Sequence, residues 1–364
     1  MTLPEGHPLR DGRTTHSPLI AAYRSQVPSR QPVWFMRQAG RSLPEYRALR
    51  RGVSMLDSCL RPDLAAEITL QPVRRHDTDA AIFFSDIVIP LKLAGVDVDI
   101  VPGVGPVLSE PIRTLAQVRA LPELTDSAFE PIREAVRLTV AELGSTPLIG
   151  FAGAPFTVAA YMVEGRPSRD HLGPRTMMHS APEAWDALAH WAARASGAFL
   201  RAQVEAGASA VQLFDSWAGS LGLEDYRQRV APASALAFDA VRELDVPRVH
   251  FGTGTSELLP AMLEAGADVM GIDYRLPLDE ANRRLGGRTP LQGNIDPAYL
   301  EAPWEVLEAH VREVLKRGSA APGHVLNLGH GVPPETDPSV LSRIVELAHS
   351  LEPGSAHRDP GVEP

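Results

Sequence analysis

Short apolar runs recur along the chain, and each ends in a glycine or polar residue before a helical pattern follows. The runs are rich in Val, Ile, Leu and Phe with little alternation, as expected for strands that are buried on both faces. They predict eight strands, over residues 33–36, 79–84, 148–151, 210–214, 248–251, 268–272, 290–292 and 325–328.

Amphipathic segments fill the gaps between these runs. They predict helices over residues 62–76, 129–143, 182–205, 224–244, 257–264, 278–285, 304–316 and 338–351. Alternating strands and helices imply a parallel sheet with right-handed crossovers. Eight repeats favour a closed (β/α)₈ TIM barrel over an open doubly wound sheet, which is the alternative α/β arrangement.

Three segments depart from the repeat. Residues 96–110 predict a β-hairpin that turns near Pro102 and Gly103, inserted after the second strand. Residues 1–18 and 353–364 mix Gly, Pro and charged residues, and we expect flexible tails there. One catalytic barrel domain over residues 19–352 is therefore predicted.

Composition narrows the class of function. The 364 residues carry a formal net charge of −10, so the surface as a whole does not favour nucleic acid. The single cysteine, Cys59, excludes a disulfide within the chain and a zinc cluster of several cysteines. No apolar run approaches the roughly 20 residues of a membrane helix, and residues 1–17 lack the apolar stretch of a signal peptide. We therefore expect a cytoplasmic protein that does not bind membranes.

In a barrel, catalytic side chains follow the carboxyl ends of the strands, an end that we call the mouth. Arg37 and Arg41 come directly after the first apolar run, and arginine is rarely buried without a partner. They could brace the barrel by pairing with Asp86 or Asp273, or they could bind an anionic ligand. Further polar residues at strand ends or just beyond them are Ser85, Asp86, Tyr161, Ser216, Asp273 and His330.

Each of these residues also has a structural interpretation. Asp86 or Ser216 could cap a helix, Tyr161 could be a core tyrosine, and His330 could simply lie between two turn glycines. Several other chemistries find no motif: there is no G-x-S-x-G elbow around Ser216, no complete dinucleotide fingerprint and no HExxH.

Eight short motifs together resemble the uroporphyrinogen decarboxylase family. They occur in family order, and the resemblance covers residues 34–351, nearly the whole predicted domain. The motifs are RQAGR at 37–41 with LPEY at 43–46, FSDI at 84–87, GAPFT at 153–157, YMVEG at 161–165, FDSWAG at 214–219, QGNIDP at 292–297 and NLGHG at 327–331.

The resemblance implies a homodimeric (β/α)₈ barrel that removes the four acetate carboxyl groups of uroporphyrinogen III, giving coproporphyrinogen III, without a metal or organic cofactor. It implies catalytic roles for Asp86 and Arg37, with Asp86 binding the pyrrole N–H groups. The substrate-binding residues that it implies are Arg37, Gln38, Ala39, Gly40, Arg41, Asp86, Tyr161, Ser216 and His330, with Arg50 as a further candidate. Trp217 stands where some members carry histidine, so no role is transferred to it.

The implied chemistry suits these residue types. The substrate carries eight carboxylates, and an arginine guanidinium can bind a carboxylate through two parallel hydrogen bonds. Loss of CO₂ leaves an electron pair that a protonated pyrrole ring can accept, and a fixed carboxylate would stabilise that cation. We expect nearby arginines to keep Asp86 ionised despite burial. The proton donor stays open among Arg37, Tyr161, His330 and bound water.

Two rival functions remain at this point. The related barrel methyltransferases hold zinc through Cys and His, and Cys59 has no partner cysteine. A non-catalytic tetrapyrrole-binding protein is the other rival, which the intact set of polar residues disfavours.

Overall fold

The computed structural model describes residues 2–351. Within that range the helices are α1 Pro18–Tyr23, α2 Pro44–Leu49, α3 Met55–Leu60, α4 Pro62–His76, α5 Ile89–Leu93, α6 Leu115–Arg119, α7 Glu130–Leu143, α8 Pro155–Glu164, α9 Leu172–Ser180, α10 Pro182–Ala206, α11 Leu223–Arg229, α12 Ala231–Arg242, α13 Leu259–Glu264, α14 Leu278–Arg284, α15 Trp304–Gly318 and α16 Pro338–Ser350. Short 3₁₀ turns cover Asp126–Phe129, Ala218–Ser220 and Pro297–Glu301.

Strands in the same range form one parallel sheet and one separate hairpin. The strands are β1 Ala81–Ile82, β2 Val98–Val101, β3 Gly105–Leu108, β4 Leu148–Gly153, β5 Ala210–Asp215, β6 Arg248–Gly252, β7 Val269–Gly271, β8 Leu291–Gln292 and β9 His324–Val325. The sheet has the order β1-β4-β5-β6-β7-β8-β9, and every neighbouring pair in it is parallel.

The first predicted run closes this sheet into a barrel. Trp34 N donates to Leu326 O beyond β9 at 3.3 Å, and Asp79 N, before β1, donates to Val33 O at 2.8 Å. Val33 also forms an isolated parallel bridge with Leu326. The two ends of the seven-stranded sheet are therefore joined through this segment, and the predicted TIM barrel is confirmed.

The apolar pattern predicted a strand over residues 33–36, but these residues do not form a regular strand. Side chains replace the backbone ladder there: Phe35 N donates to Gln38 Oε1 at 3.0 Å, and Met36 N donates to Asn327 Oδ1 at 2.9 Å. Because these amides already have acceptors, no further ladder bond to a neighbouring strand is needed.

The predicted hairpin is present, since β2 pairs antiparallel with β3 and Val104 N donates to Val101 O across the turn. The helix predicted over residues 62–76 matches α4, and Pro72 lies inside it without ending it. The single helix predicted over 224–244 is instead two helices, α11 and α12. Pro232 lies in the first turn of α12, where a proline's missing N–H is tolerated.

The expected loose segment over residues 1–18 packs against the barrel. His7 Nε2 lies 3.2 Å from Ala208 O, and Thr14 Oγ1 lies 2.9 Å from Ser209 Oγ, at the start of β5. Ser17 caps α1. These long-range polar contacts anchor the segment at the end of the barrel opposite the mouth. The second expected tail, 353–364, lies outside the described residues.

No helix within residues 2–351 is both long enough and apolar enough to cross a membrane.

Candidate active site

Arg37 and Arg41 lie on the turn that leaves the first barrel segment, and both side chains are exposed. Arg37 has φ 61°, in the left-handed region. Within residues 2–351 neither guanidinium forms a salt bridge, whereas Asp273 pairs with Arg275 at 2.6 Å. The two arginines therefore do not brace the mouth through ion pairs with described residues, and their charges face solvent.

The side chain of Arg37 packs across the last barrel loop. A Cβ atom on Gly331 would lie 2.4 Å from Arg37 Cδ, far inside van der Waals contact. Val332 N donates to Met36 O at 2.9 Å and fixes the two loops together. A side chain at residue 331 would therefore require the Arg37 stem to move.

Asp86 follows β1 and does not cap a helix. Its Oδ1 accepts from Val88 N at 3.0 Å, while α5 begins at Ile89 with no side-chain cap. Burial raises the pKa of the Asp86 carboxyl; the Val88 hydrogen bond and the Arg37 charge lower it by less. Arg37 thus opposes the effect of burial on this pKa without cancelling it, and the expectation that Asp86 stays ionised remains a prediction.

Tyr161 lies on α8, close enough to Asp86 and Arg37 for both charges to act on it. Burial, and after it the Asp86 charge, raise the pKa of Tyr161 to about 12, against an opposing effect of Arg37. The phenol is therefore protonated at neutral pH and can donate a hydrogen bond. The residue is half-buried, and its ring stacks on Trp217 with centroids 3.9 Å apart.

His330 completes the group around Arg37. Burial lowers the pKa of His330, and the charges of Arg37 and Arg275 lower it further. The imidazole is therefore neutral at physiological pH. Arg275, which lies over the Tyr274 ring at 4.4 Å, is a cation of the mouth that sequence reasoning missed. Arg275 could have been found from the sequence, because it lies two residues after Asp273, just beyond the end of a predicted strand.

Ser216 lies where β5 ends, and its carbonyl oxygen accepts from Thr253 Oγ1 at 2.7 Å. The 3₁₀ turn that follows begins at Ala218 with Trp217 as its preceding residue and has no side-chain cap, so the helix-cap interpretation of Ser216 does not hold.

Four predicted residues remain, which are Gln38, Ala39, Gly40 and Arg50. Ala39 and Gly40 continue the half-buried turn between the two arginines. The Gln38 amide is fully buried; it donates to Ala80 O at 3.0 Å and accepts from Phe35 N, so its side chain holds the turn. Arg50 donates to Tyr46 Oη at 2.9 Å and Val53 O at 3.0 Å, which occupies it locally.

Within residues 2–351, no three His, Cys, Asp or Glu side chains are grouped as a metal site would require. The arrangement brings Arg37, Asp86, Tyr161 and His330 together, with Arg275 close enough to act on His330.

A parallel (β/α)₈ barrel with a desolvated carboxylate at its mouth, beside an arginine that has no ion-pair partner within residues 2–351, is the arrangement of a barrel enzyme. The sequence model described as uroporphyrinogen decarboxylase (URO-D) matches residues 14–351. The chain belongs to the uroporphyrinogen decarboxylase family.

Curated relatives agree with this assignment. The uroporphyrinogen decarboxylase of Arthrobacter sp. (strain FB24) is 78% identical over 94% of this chain and 99% of its own length. The enzyme of the same name from Leifsonia xyli subsp. xyli (strain CTCB07) is 63% identical over 94% of this chain and 97% of its own length.

Solved structures resemble the fold at low identity. A methyltransferase from Methanosarcina mazei superposes with a TM-score of 0.76 at 17% identity, covering 93% of this chain and 98% of that chain. A B12-independent methionine synthase from Shewanella sp. W3-18-1 gives a TM-score of 0.55 at 14% identity, covering 79% and 87%. At such identities the likeness concerns the barrel alone.

Proposed function

We propose that this chain decarboxylates uroporphyrinogen III to coproporphyrinogen III at the mouth of its barrel. The observation that carries the proposal is the desolvated Asp86 carboxylate, whose pKa is raised and whose neighbouring cation, Arg37, has no carboxylate partner within residues 2–351. Protonated Tyr161 and neutral His330 border the same space.

The arginines hold the carboxylate-rich periphery of the substrate. Arg37 and Arg41 have no carboxylate partner within residues 2–351. A substrate carboxylate can therefore bind them without displacing a carboxylate of these residues. Each guanidinium can donate two parallel hydrogen bonds to a carboxylate. Binding at several carboxylates at once also fixes which acetate arm lies next to Asp86.

Asp86 stabilises the charge that develops during the reaction. A proton adds to a carbon of the pyrrole ring, which becomes cationic; the bond between the acetate methylene and its carboxylate then breaks. CO₂ leaves, and the electron pair neutralises the ring and forms an exocyclic double bond. The exocyclic carbon then gains a proton while the ring carbon loses the proton that it had gained, which restores the pyrrole and gives a methyl group. Each cycle consumes one proton. A carboxylate fixed in a desolvated position next to the pyrrole N–H groups stabilises the cation more than water would.

Tyr161 supplies a hydrogen bond to this site. A phenol with its pKa at about 12 stays protonated and donates to a carboxylate. Arginine, with a pKa above ~12, is a weak acid that stays protonated in proteins, so we assign Arg37 to substrate binding and electrostatics.

Activity is tested with chelator-treated, purified protein and uroporphyrinogen under anaerobic conditions in the dark. Chromatography should show the intermediates with seven, six and five carboxyl groups, followed by the product with four. Binding without loss of carboxyl groups would instead identify a tetrapyrrole-binding protein. Restoration of activity only by an added metal or cofactor would contradict the cofactor-independent reaction.

We further propose a homodimer in the cytoplasm, on the strength of the family resemblance. Sedimentation equilibrium across a range of protein concentrations should give twice the chain mass of 39.3 kDa. Cell fractionation should recover the protein with the cytosolic enzymes.

A further inference from the structure

Three rings from three separate segments stack face to face beside the mouth. Tyr161 and Trp217 have ring centroids 3.9 Å apart with planes 26° apart. His171 lies on Trp217 at 4.2 Å and 18°. The indole of Trp217, from the turn after β5, is the shared member that joins helix α8 to the loop before α9.

The backbone of Trp217 is hydrogen-bonded to a buried pair of side chains, Thr157 and Asp215. Thr157 Oγ1 donates to Asp215 Oδ1 at 2.9 Å and accepts from Trp217 N at 3.3 Å. Thr157 and Asp215 are both fully buried. The Thr157 hydroxyl therefore donates to Asp215 and accepts from Trp217 N. These two bonds fix the direction in which the turn leaves β5.

Thr157 and Tyr161 stand four residues apart on α8, so they lie on the same face of the helix. The helix contacts Trp217 at two positions that lie one helical turn apart. Thr157 accepts a hydrogen bond from the Trp217 backbone N–H, and Tyr161 stacks on the Trp217 ring. Two contacts one helical turn apart define the orientation of the indole relative to the helix, which a single contact would not.

The outer ring belongs to a loop that is itself constrained. His171 is buried and has φ 51°, in the left-handed region, and its N–H donates to Ser168 Oγ at 3.2 Å. Burial lowers the pKa of His171, so the neutral imidazole contributes no charge to the stack. The loop after α8 is thereby connected to Tyr161 through Trp217.

We propose that Trp217 is a positioning residue, whose indole fixes the Tyr161 ring in the mouth and couples it to the loop that carries His171. The proposal rests on the proposed decarboxylation. Trp217 acts through Tyr161, so its loss should lower turnover more than it weakens binding of a substrate held mainly by arginines.

The test compares Trp217→Leu, which keeps apolar volume, with Trp217→Phe, which keeps a stacking ring. Aromatic pairs contribute beyond simple burial by an amount equivalent to about 2- to 13-fold in rate. We expect Trp217→Leu to lower kcat about tenfold with KM changed less than about threefold, and Trp217→Phe to recover most of the loss. Trp304→Leu, which removes an indole packed under Arg343 on the outer helices, is the matched control and should not change kcat.

A double-mutant cycle separates positioning from a general structural effect. In a Tyr161→Phe background, whose hydroxyl has already been removed, Trp217→Leu should lower kcat less than about twofold. Equal losses in both backgrounds, or a wild-type kcat in Trp217→Leu, would overturn the proposal. If Trp217→Leu fails to fold, the same cycle is run with His171→Ala, where non-additivity is again required.

A readout independent of turnover distinguishes failure of this inference from failure of the proposed reaction. Hydrogen–deuterium exchange of residues 165–171 should accelerate in Trp217→Leu and much less in Trp217→Phe. An inactive wild-type protein would refute the decarboxylase proposal alone. Unchanged exchange in Trp217→Leu would refute the coupling of the loop to the stack.

Discussion

Replacement of Asp86 by asparagine is the sharpest perturbation of this site. Asparagine has the same shape, and its Oδ1 can still accept from Val88 N, a bond of 3.0 Å in the wild-type chain. The substitution therefore removes the negative charge and little else. Any effect on turnover can be assigned to that charge.

The expected loss follows from the burial of the carboxylate. A unit charge about 4 Å from a developing cation, at an effective dielectric constant of about 20, is equivalent to about 4 kcal/mol. That corresponds to roughly 10³-fold in rate. Removal of one preorganised group in other active sites costs roughly 10²- to 10³-fold in kcat. We therefore expect Asp86→Asn to lower kcat by at least about 10²-fold.

Stability should change in the opposite direction to activity. The pKa of Asp86 is raised in the folded state, so the native protein binds this proton more tightly than the unfolded chain. The contribution of Asp86 to stability is then greatest below its unfolded-state pKa of about 3.9 and is lost as the pH rises through the folded pKa. At neutral pH the ionised carboxylate costs stability, and Asp86→Asn should melt at the wild-type temperature or above it.

The assay measures kcat, KM and melting temperature for wild type, Asp86→Asn and a matched control. Asp11→Asn is that control, since Asp11 Oδ1 also accepts from the amide two residues on, Arg13 N at 3.0 Å, but at the opposite end of the barrel. The wild-type kcat/KM should fall on the acid side with a midpoint above the ordinary aspartate pKa, and Asp86→Asn should lack that limb. A kcat within about threefold of wild type in folded Asp86→Asn would refute the reasoning.

Three further substitutions test other parts of the structure. Arg37→Lys keeps the charge but loses the paired hydrogen bonds, so steady-state kinetics should show kcat/KM at least about tenfold lower; unchanged constants would refute a substrate contact. Gly331→Ala should lower kcat/KM by a similar factor, because its methyl group would lie 2.4 Å from Arg37 Cδ; unchanged kinetics would show that Arg37 does not need that space. Asp79→Asn should lower the free energy of unfolding by about 2 kcal/mol in urea, because the buried carboxylate accepts from Arg30 and contacts His349 at 2.8 Å. The kcat of Asp79→Asn at 25 °C should be retained, and an unchanged unfolding midpoint would argue against that role.

Most of the fold was predictable because buried parallel strands are continuous apolar runs. The segment over residues 33–36 is an exception. Residues 33–36 have the apolar composition of a strand, but their amides are satisfied by the side chains of Gln38 and Asn327. Asn327 lies at the far end of the sequence, so no local pattern could show that a side chain would replace the ladder. The same holds for His7 and Thr14, whose partners belong to the start of β5.

The positions of the site residues were predictable, but their electrostatic balance was not. Arg37, Asp86, Tyr161 and His330 all come near or just beyond strand ends, and a barrel brings strand ends together. Whether Asp86 is stabilised by arginines or desolvated depends on distances that sequence does not contain. The stack of Tyr161, Trp217 and His171 was missed for a related reason, since no periodicity links residues on three different segments.

The closure of the barrel by residues 33–36 sets when the site can form during synthesis. Arg37 leaves the ribosome early, whereas Gly331, which its stem packs against, is made roughly 300 residues later. At about 5–20 residues per second that interval is about 15–60 s. During it the strand-like segment lacks Leu326, its hydrogen-bonded neighbour, and the cationic turn lacks the loop that faces it. The nascent chain therefore carries an open sheet edge for most of its translation, and a chaperone that shields that edge should increase the yield of active protein.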